Sequence, residues 1–143
     1  MAEGEAPRVD SVPAPDTAVG RDLGLSVRAA VLAWAIPGAG HVYLGRRRLG
    51  LIFCVIVLAS LAIGVSLDGN LSRVVPERPL SLLATLGTMG VGLAYFLLRF
   101  LAGYVGNVVA SGFEYGSAFI LTAGLMNLLL VLDVWDMARG RKE

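Results

Sequence analysis

Charged residues are scarce in this 143-residue chain, and they avoid most of its length. Only 16% of the residues are charged, whereas 56% are hydrophobic even before the 18 glycines are counted. Soluble domains carry about 25% charged residues. Of the 23 charged residues, only eight lie in the 90 positions from 49 to 138. This distribution predicts an integral membrane protein rather than a water-soluble globule.

Histidine and cysteine occur once each, which excludes several kinds of site. His41 alone cannot build the usual zinc site, and Cys54 has no second cysteine for an internal disulfide. The net charge of +1 gives no basic surface of the kind that binds nucleic acid. The sequence also contains no nucleophile–base pair and no phosphate-binding loop. We therefore predict no catalytic residues, no metal, no cofactor and no nucleic-acid partner.

The polar N-terminal segment differs from the rest of the chain. Residues 1–24 contain several prolines and acids and almost no large apolar side chains. Such a segment cannot offset its conformational entropy by burial, so we expect a disordered tail. Residues 25–138 are predicted to form a single transmembrane helical domain, and residues 139–143 a basic C-terminal tail.

Four apolar segments divide the predicted domain. Residues 49–67, 79–98 and 115–132 are uncharged over 18 to 20 positions, which is long enough to cross the hydrocarbon core. Residues 29–45 are shorter and contain Pro37, so this helix should end or kink near Ile36, as a short kinked span or a re-entrant element. The predicted fold class is therefore an all-α integral membrane bundle with three clear transmembrane helices and a short broken N-terminal helix. The glycine-rich segment 100–113 is expected to form an interfacial helix or a break packed inside the bundle.

Basic residues next to the apolar segments bear on orientation. Arg46, Arg47 and Arg48 form one cluster, and Arg139, Arg141 and Lys142 form another. Both clusters should favour the cytoplasm. Three crossings between them would place them on opposite sides. We expect Arg46–Arg48 to be the cytoplasmic cluster, in a bacterial cytoplasmic membrane.

The most distinctive stretch of the sequence is PGAGHVYLGR, residues 37–46. Proline and glycine release the backbone from helical geometry, and an aromatic residue suits a membrane interface. The turn residues of interest are Pro37, Gly38, Gly40, His41, Tyr43, Gly45 and Arg46. The arginines Arg46, Arg47 and Arg48 are predicted to bind lipid headgroups or to anchor the topology. His41 is expected to cap the turn or face the headgroups, with a proton-transfer role as the alternative.

This turn resembles that of the two-helix transmembrane domain family, which carries a glycine-rich, aromatic-Leu-Gly-Arg turn between two membrane helices. The segment LLLVLDVWD is similar to the second helix of that family. The order of PGAGHVYLGR, FEYG, TAGLMNLLLVLD and a basic tail also resembles small uncharacterised bacterial multi-pass membrane proteins. The resemblance implies a membrane-embedded accessory or signalling role without established catalytic residues.

A few polar residues interrupt the later apolar segments and are candidates for an intramembrane or interfacial polar site. They are Arg99, Glu114, Asn127, Asp133 and Asp136. Charges at membrane depth are costly and often functional. We expect Arg99 and Asp133 at an interface and Asp136 paired with Arg139. Glu114 should either pair with Arg99 or lie in the headgroup region. The Asn127 amide should bond to a neighbouring helix, because an unpaired amide in lipid costs several kcal/mol.

Three functions remain open from the sequence. The leading hypothesis is a non-enzymatic scaffold or accessory subunit, whose partners are the lipid bilayer and a second membrane protein or another copy of the chain. The first alternative is a small transporter or channel component that uses Arg99, Glu114 and Asp133. The second alternative is an intramembrane enzyme with His41, Glu114 and Asp133 in one site.

Overall fold

The computed structural model of the protein describes residues 15–71 and 79–140, and this part of the chain is helical without strands. The elements in order are α1 Pro15–Ala35, α2 Ala39–Tyr43, α3 Arg47–Ser66, α4 Pro79–Met89, α5 Leu93–Phe96 with a π-helical continuation Leu97–Leu101, and α6 Phe113–Ala138. The predicted all-α fold class is confirmed.

Two of these helices, α3 and α6, are each long and apolar enough to cross a membrane. A third crossing would require α4 and α5 together, but this pair is bent by 108°. The predicted span 79–98 is therefore broken near its middle, where Gly92 has φ 78° and ψ −136°. Only glycine adopts this backbone conformation readily. The apolar helices indicate a membrane protein.

The helices α3 and α6 pack against each other in antiparallel orientation. Gly64, near the end of α3, contacts Gly116 and Ile120, near the start of α6. The hydroxyl of Ser60 donates to the carbonyl of Phe119, at 3.2 Å. The small residues Ser60 and Gly64 lie four apart in the sequence and allow this close approach. The two ends of the pair are called here the arginine end, marked by Arg46–Arg48, and the Asp68 end.

A first helical hairpin enters the bundle from the arginine end and returns to it. The helix α1 ends at Ala35, two residues before Pro37, as the sequence predicts. The short α2 then runs back, so that Gly40 lies against Ala29 and Ala33 of α1 and Val134 of α6. Of the two alternatives left open by the sequence, the structure adopts the re-entrant one.

A second hairpin enters from the opposite, Asp68 end. The helix α4 runs alongside α6 until Gly90 contacts Gly124. After the break, α5 and its π-helical continuation lead the chain back, and the N–H of Asn107 donates to the carbonyl of Asp68, at 3.0 Å. The second hairpin thus begins and ends at the Asp68 end of the bundle.

The prediction that the two basic clusters lie on opposite sides is not supported by the arrangement of the helices. Because α3 and α6 are antiparallel and the segment between them returns to the Asp68 end, the start of α3 lies near the end of α6. Arg46–Arg48 at the start of α3 and Arg139 after α6 therefore lie at the same end of the bundle, not at opposite ends.

Two further boundaries differ from the sequence analysis. The helix α1 begins at Pro15, inside the segment 1–24 that was predicted to be disordered, and proline is favourable in a first helical turn. The remainder of that predicted tail, residues 1–14, lies outside the described residues, as do residues 141–143 of the basic tail. Residues 102–112 form an irregular loop with exposed Val108 and Val109, neither an interfacial helix nor a buried break.

Candidate functional site

The tips of the two hairpins meet at the side chain of Asn127, which is fully buried in α6. Its Nδ2 donates one hydrogen bond to the carbonyl of Trp34, at 3.1 Å, and another to the carbonyl of Gly90, at 2.8 Å. Trp34 lies in the last turn of α1, and Gly90 follows the last residue of α4. One amide group thus satisfies a carbonyl at each of two helix ends. We call this arrangement the junction.

The tips touch each other directly as well. A side chain at Gly92 would overlap the carbonyl oxygen of Trp34, so the backbones approach as closely as glycine permits. The Trp34 and Phe96 rings pack edge to face, with centroids 6.2 Å apart. Val91 is fully buried between the two glycines of the second tip. The junction is therefore a tightly packed contact between segments from opposite ends of the bundle.

The other polar atom of Asn127, Oδ1, has no hydrogen-bond partner among the described residues. Both bonded partners are carbonyl oxygens, which can only accept, so Nδ2 must face them and Oδ1 must face away. This Oδ1 is buried and makes no hydrogen bond in the described part of the chain. Leaving such an acceptor unpaired inside the protein is costly.

A second buried polar contact lies nearer the arginine end. The fully buried His41 of α2 donates from Nε2 to Oδ2 of Asp133, at 3.2 Å, while about a third of the Asp133 side chain is exposed. A carboxylate only accepts, which assigns the Nε2 proton. The imidazole also packs on Phe53 of α3, with ring centroids 5.2 Å apart. Its Nδ1 is buried and has no hydrogen-bond partner within residues 15–71 and 79–140. The pair joins the turn to α6.

The turn ahead of α3 presents the predicted lipid-binding arginines to the outside. Arg46, Arg47 and Arg48 are all exposed, and with Gly45 and Leu49 they line an open concavity of about 420 Å³. None of these arginines forms an ion pair with another residue that the structure describes. Tyr43 is 48% exposed next to them, as suits an interfacial residue.

The remaining predicted site residues do not gather into one site. Glu114, in the first turn of α6, is exposed at the Asp68 end, whereas Asp133 is 19 residues further along the same helix, about 28 Å away. Arg99 donates to the carbonyl of Tyr104, at 3.4 Å, and forms no ion pair with Glu114. A single site of His41, Glu114 and Asp133 is therefore not formed.

At the arginine end, Arg139 makes a contact that the sequence did not predict. Its guanidinium lies over the Trp135 ring, 4.6 Å from the centroid. Asp133 and Asp136 both take part in further interactions. No group of three metal-ligating side chains occurs in the part of the chain that the structure describes.

Tyr104 fastens the loop 102–112 to the Asp68 end. Its hydroxyl lies 2.9 Å from the carbonyl of Gly69 and 3.3 Å from that of Val65. Burial, and to a lesser degree the Asp68 carboxylate, raise the pKa of the Tyr104 hydroxyl. The phenol therefore stays a hydrogen-bond donor at neutral pH.

The sequence analysis missed the second tip, although a repeat in the sequence marks it. Gly38-Ala39-Gly40-His41-Val42-Tyr43 at the first break matches Gly90-Val91-Gly92-Leu93-Ala94-Tyr95 at the second, as Gly-x-Gly-x-x-Tyr. In each case the motif starts just after the entering helix ends and runs into the returning helix. Hydropathy alone did not reveal the break, because glycine and valine continue the apolar run.

The comparison with protein families gives one match, which covers residues 28–143. It does not confirm the resemblance to the two-helix transmembrane domain family. No match was found among curated proteins or among solved structures. The matched segment includes the last turns of α1, the arginine turn, the junction and the second hairpin. By this match the chain belongs to DUF6677, a family of unknown function.

Proposed function

We propose that the chain is a non-enzymatic scaffold or accessory subunit of the bacterial cytoplasmic membrane, which acts through helix packing and contact with anionic lipid. The observation that supports this role best is the cluster of exposed arginines Arg46–Arg48 at the start of a membrane-spanning helix. The arginines have no acidic residue in the first turn of α3 to neutralise them.

Lipid phosphate is the chemistry that this cluster favours. Each basic residue near an anionic membrane surface contributes about 1 kcal/mol, so three arginines contribute about 3 kcal/mol, or roughly a hundredfold preference for anionic over neutral lipid. The N-terminal end of α3 adds a partial positive charge at the same place. Guanidinium groups also bind phosphate oxygens in pairs.

The distribution of charge supports a cytoplasmic arginine end. Among residues with described side chains, five arginines lie at the arginine end: Arg28, Arg46–Arg48 and Arg139. Arg99 lies in the π-helical segment that leads back to the Asp68 end. This asymmetry favours the arginine end as the cytoplasmic one.

Lipid retention tests this role. The purified full chain is compared with an Arg46→Gln, Arg47→Gln, Arg48→Gln variant by native mass spectrometry in mixtures of phosphatidylglycerol and phosphatidylcholine. We expect the variant to lose most of its preference for the anionic lipid. Arg99→Gln, at the other end, serves as the control and should keep it. If the triple variant retained as much phosphatidylglycerol as the wild type, anionic lipid binding by the arginine cluster would be rejected.

The partner protein that a scaffold or accessory role requires is tested separately. Crosslinking and co-purification from the native membrane should recover a stable stoichiometric partner or a second copy of the chain. Recovery of the monomer alone, at native expression and in mild detergent, would contradict the role.

A second candidate, a small transport component, is supported by the junction. Irregular backbone at membrane depth occurs where it is buried in protein or lines a cavity, and many transporters build substrate sites from such broken helices. Ion flux into proteoliposomes that contain the purified chain tests this candidate. Flux no greater than in protein-free liposomes would reject transport by the chain alone.

A further inference from the structure

We propose that one anionic phospholipid binds along the first hairpin, with its phosphate on Arg28 and one acyl chain in a groove beside Val31 and Tyr43. This inference rests on the proposed function, because it assigns a single lipid position next to the arginine turn. It adds a cation on α1 to the three arginines Arg46–Arg48 and gives the re-entrant hairpin a defined lipid partner.

The groove lies on the outer side of the first hairpin. Its lining comprises Val27, Arg28, Val31 and Leu32 of α1 and Tyr43 of α2, and its volume is about 340 Å³. Pockets for small ligands usually have about 300–1,000 Å³. The α1 residues form two pairs four positions apart, so they share one face of the helix, and all of them are exposed. Apart from the Arg28 guanidinium and the Tyr43 hydroxyl, the lining is apolar, which suits a hydrocarbon chain.

Arg28 lies at membrane depth. Its side chain is exposed and forms no ion pair or hydrogen bond within the part of the chain that the structure describes. Arg28 precedes Trp34 by six residues, which places it about 9 Å along α1 from the junction. The junction lies near the middle of α6, and half of the hydrocarbon core is about 15 Å thick. The backbone of Arg28 therefore lies within the hydrocarbon region.

The direction of the Arg28 side chain brings its charge to the lipid phosphates. Side chains on a helix lean toward its N-terminus, and the N-terminus of α1 is at the arginine end. A long arginine side chain at this depth extends its guanidinium to the headgroups while its stem stays in the apolar region. A charge at membrane depth is costly unless it is paired. Lipid phosphate is the anion available there, and it can accept two hydrogen bonds from one guanidinium.

Tyr43 connects the groove with the arginine turn. Its side chain lines the groove, and Gly45, two residues later, lines the concavity formed by Arg46–Arg48. Cations thus stand toward the arginine end and apolar side chains toward the junction. An anionic phospholipid has its phosphate and acyl chains in the same order. A neutral lipid would leave Arg28 unpaired, and a free phosphate would leave the groove unfilled, so the arrangement favours a ligand that has both parts.

The number of tightly held lipids tests the site. The full chain is purified in mild detergent with mixed phosphatidylglycerol and phosphatidylcholine, and native mass spectrometry follows the bound lipids under stepwise collisional activation. We expect the wild type to keep one phosphatidylglycerol after the other lipids have dissociated. Arg28→Gln should lower the abundance of this one-lipid complex at least about tenfold, as expected for the loss of a charge-assisted contact. Arg28→Lys should keep most of it. Wild-type abundance in Arg28→Gln would overturn the proposal.

Filling the groove tests the position of the acyl chain. Val31→Trp places a large side chain in the groove and should lower the one-lipid complex to a similar extent. Val55→Trp is the matched control, because Val55 of α3 is 59% exposed, against 57% for Val31, and lies outside the groove. Equal abundance in the two tryptophan variants would contradict the proposal. If Val31→Trp does not fold, the Arg28 variants still decide.

The same spectra distinguish other occupants. Displacement of the lipid by excess inorganic phosphate would identify a site for a free anion, and a dimer that Val31→Trp dissociates would identify a second copy of the chain in the groove. Either result would overturn the proposal.

A failure of this inference is distinct from a failure of the proposed function. The proposed function is measured as the preference of all retained lipids in the triple variant of Arg46–Arg48. Loss of that preference, together with an unchanged one-lipid complex in Arg28→Gln, would reject only the single-lipid site. An unchanged preference in the triple variant, together with loss of the complex in Arg28→Gln, would reject only the role of the arginine cluster.

Discussion

Replacing Gly92 with alanine should destabilise the fold more than the same change at Gly103, a loop glycine with open space around it. Gly92 has φ 78° and ψ −136°, a conformation that costs an L-residue about 1–3 kcal/mol. The new methyl group would also overlap the carbonyl oxygen of Trp34 and push the two hairpin tips apart. Separation of the tips strains the two hydrogen bonds of Asn127, each contributing about 1 kcal/mol. The expected total is about 3–5 kcal/mol.

Gly103→Ala is the matched control for this change. Gly103 also has a positive φ, of 61°, but a side chain there would meet nothing within 4 Å. Its substitution should cost only the left-handed strain of about 1–2 kcal/mol. The loss of unfolded-state entropy on replacing glycine is common to both variants and cancels in the comparison.

The assay is equilibrium unfolding of the full chain in mixed micelles, with denaturing detergent as the variable and far-ultraviolet circular dichroism as the signal. Gly92→Ala should lose about 2–3 kcal/mol more than Gly103→Ala, the part that belongs to the contact between the tips. An equal loss of unfolding free energy in the two variants would refute the contact between Gly92 and Trp34, and therefore the contact between the two hairpins.

Three further predictions follow from individual contacts. Asn127→Leu should lower the free energy of unfolding by about 1–3 kcal/mol, because two carbonyls lose their hydrogen-bond donor while one unpaired oxygen is removed. If Asn127→Leu were as stable as Asn107→Leu in the same unfolding assay, this prediction would be contradicted. His41→Ala should cost about 2 kcal/mol through the lost Asp133 bond and Phe53 contact, and in a double-mutant cycle with Asp133→Asn the losses should be non-additive; strict additivity would argue against the pair. Because the folded-state pKa of Tyr104 is raised, its contribution to stability is present below pH of about 10 and is lost as the pH rises through the folded-state value. A pH series of unfolding should show this loss in the wild type and not in Tyr104→Phe.

Local features of the sequence predicted much of the fold. Pro37 fixes the end of α1 because it removes a backbone donor and blocks the preceding turn, and the uncharged segments 49–67 and 115–132 correspond to the spanning helices α3 and α6. The depth of Asn127 predicted that its amide would bond to a neighbouring helix, and it does. These are properties of single segments, which composition and spacing can reveal.

The junction could not be predicted in the same way, because it depends on which distant segments meet. Trp34 and Asn127 are 93 positions apart, and Gly90 is 37 positions from Asn127. The break at Gly92 depends on backbone angles, to which hydropathy is insensitive. Once that break was missed, residues 79–98 were interpreted as one straight span, and the two basic clusters were assigned to opposite sides.

Cysteine accessibility in sealed membrane vesicles tests most directly whether the two hairpins enter from opposite sides. Single cysteines replace Arg47, Asn107 and Gly140, one at a time, in a Cys54→Ala background, and are labelled with a membrane-impermeant maleimide before and after permeabilisation. Positions 47 and 140 should label from the same, cytoplasmic side and position 107 from the other. Labelling of positions 47 and 140 from opposite sides would mean that the segment from α4 to α5 crosses the membrane and that the hairpin arrangement is wrong.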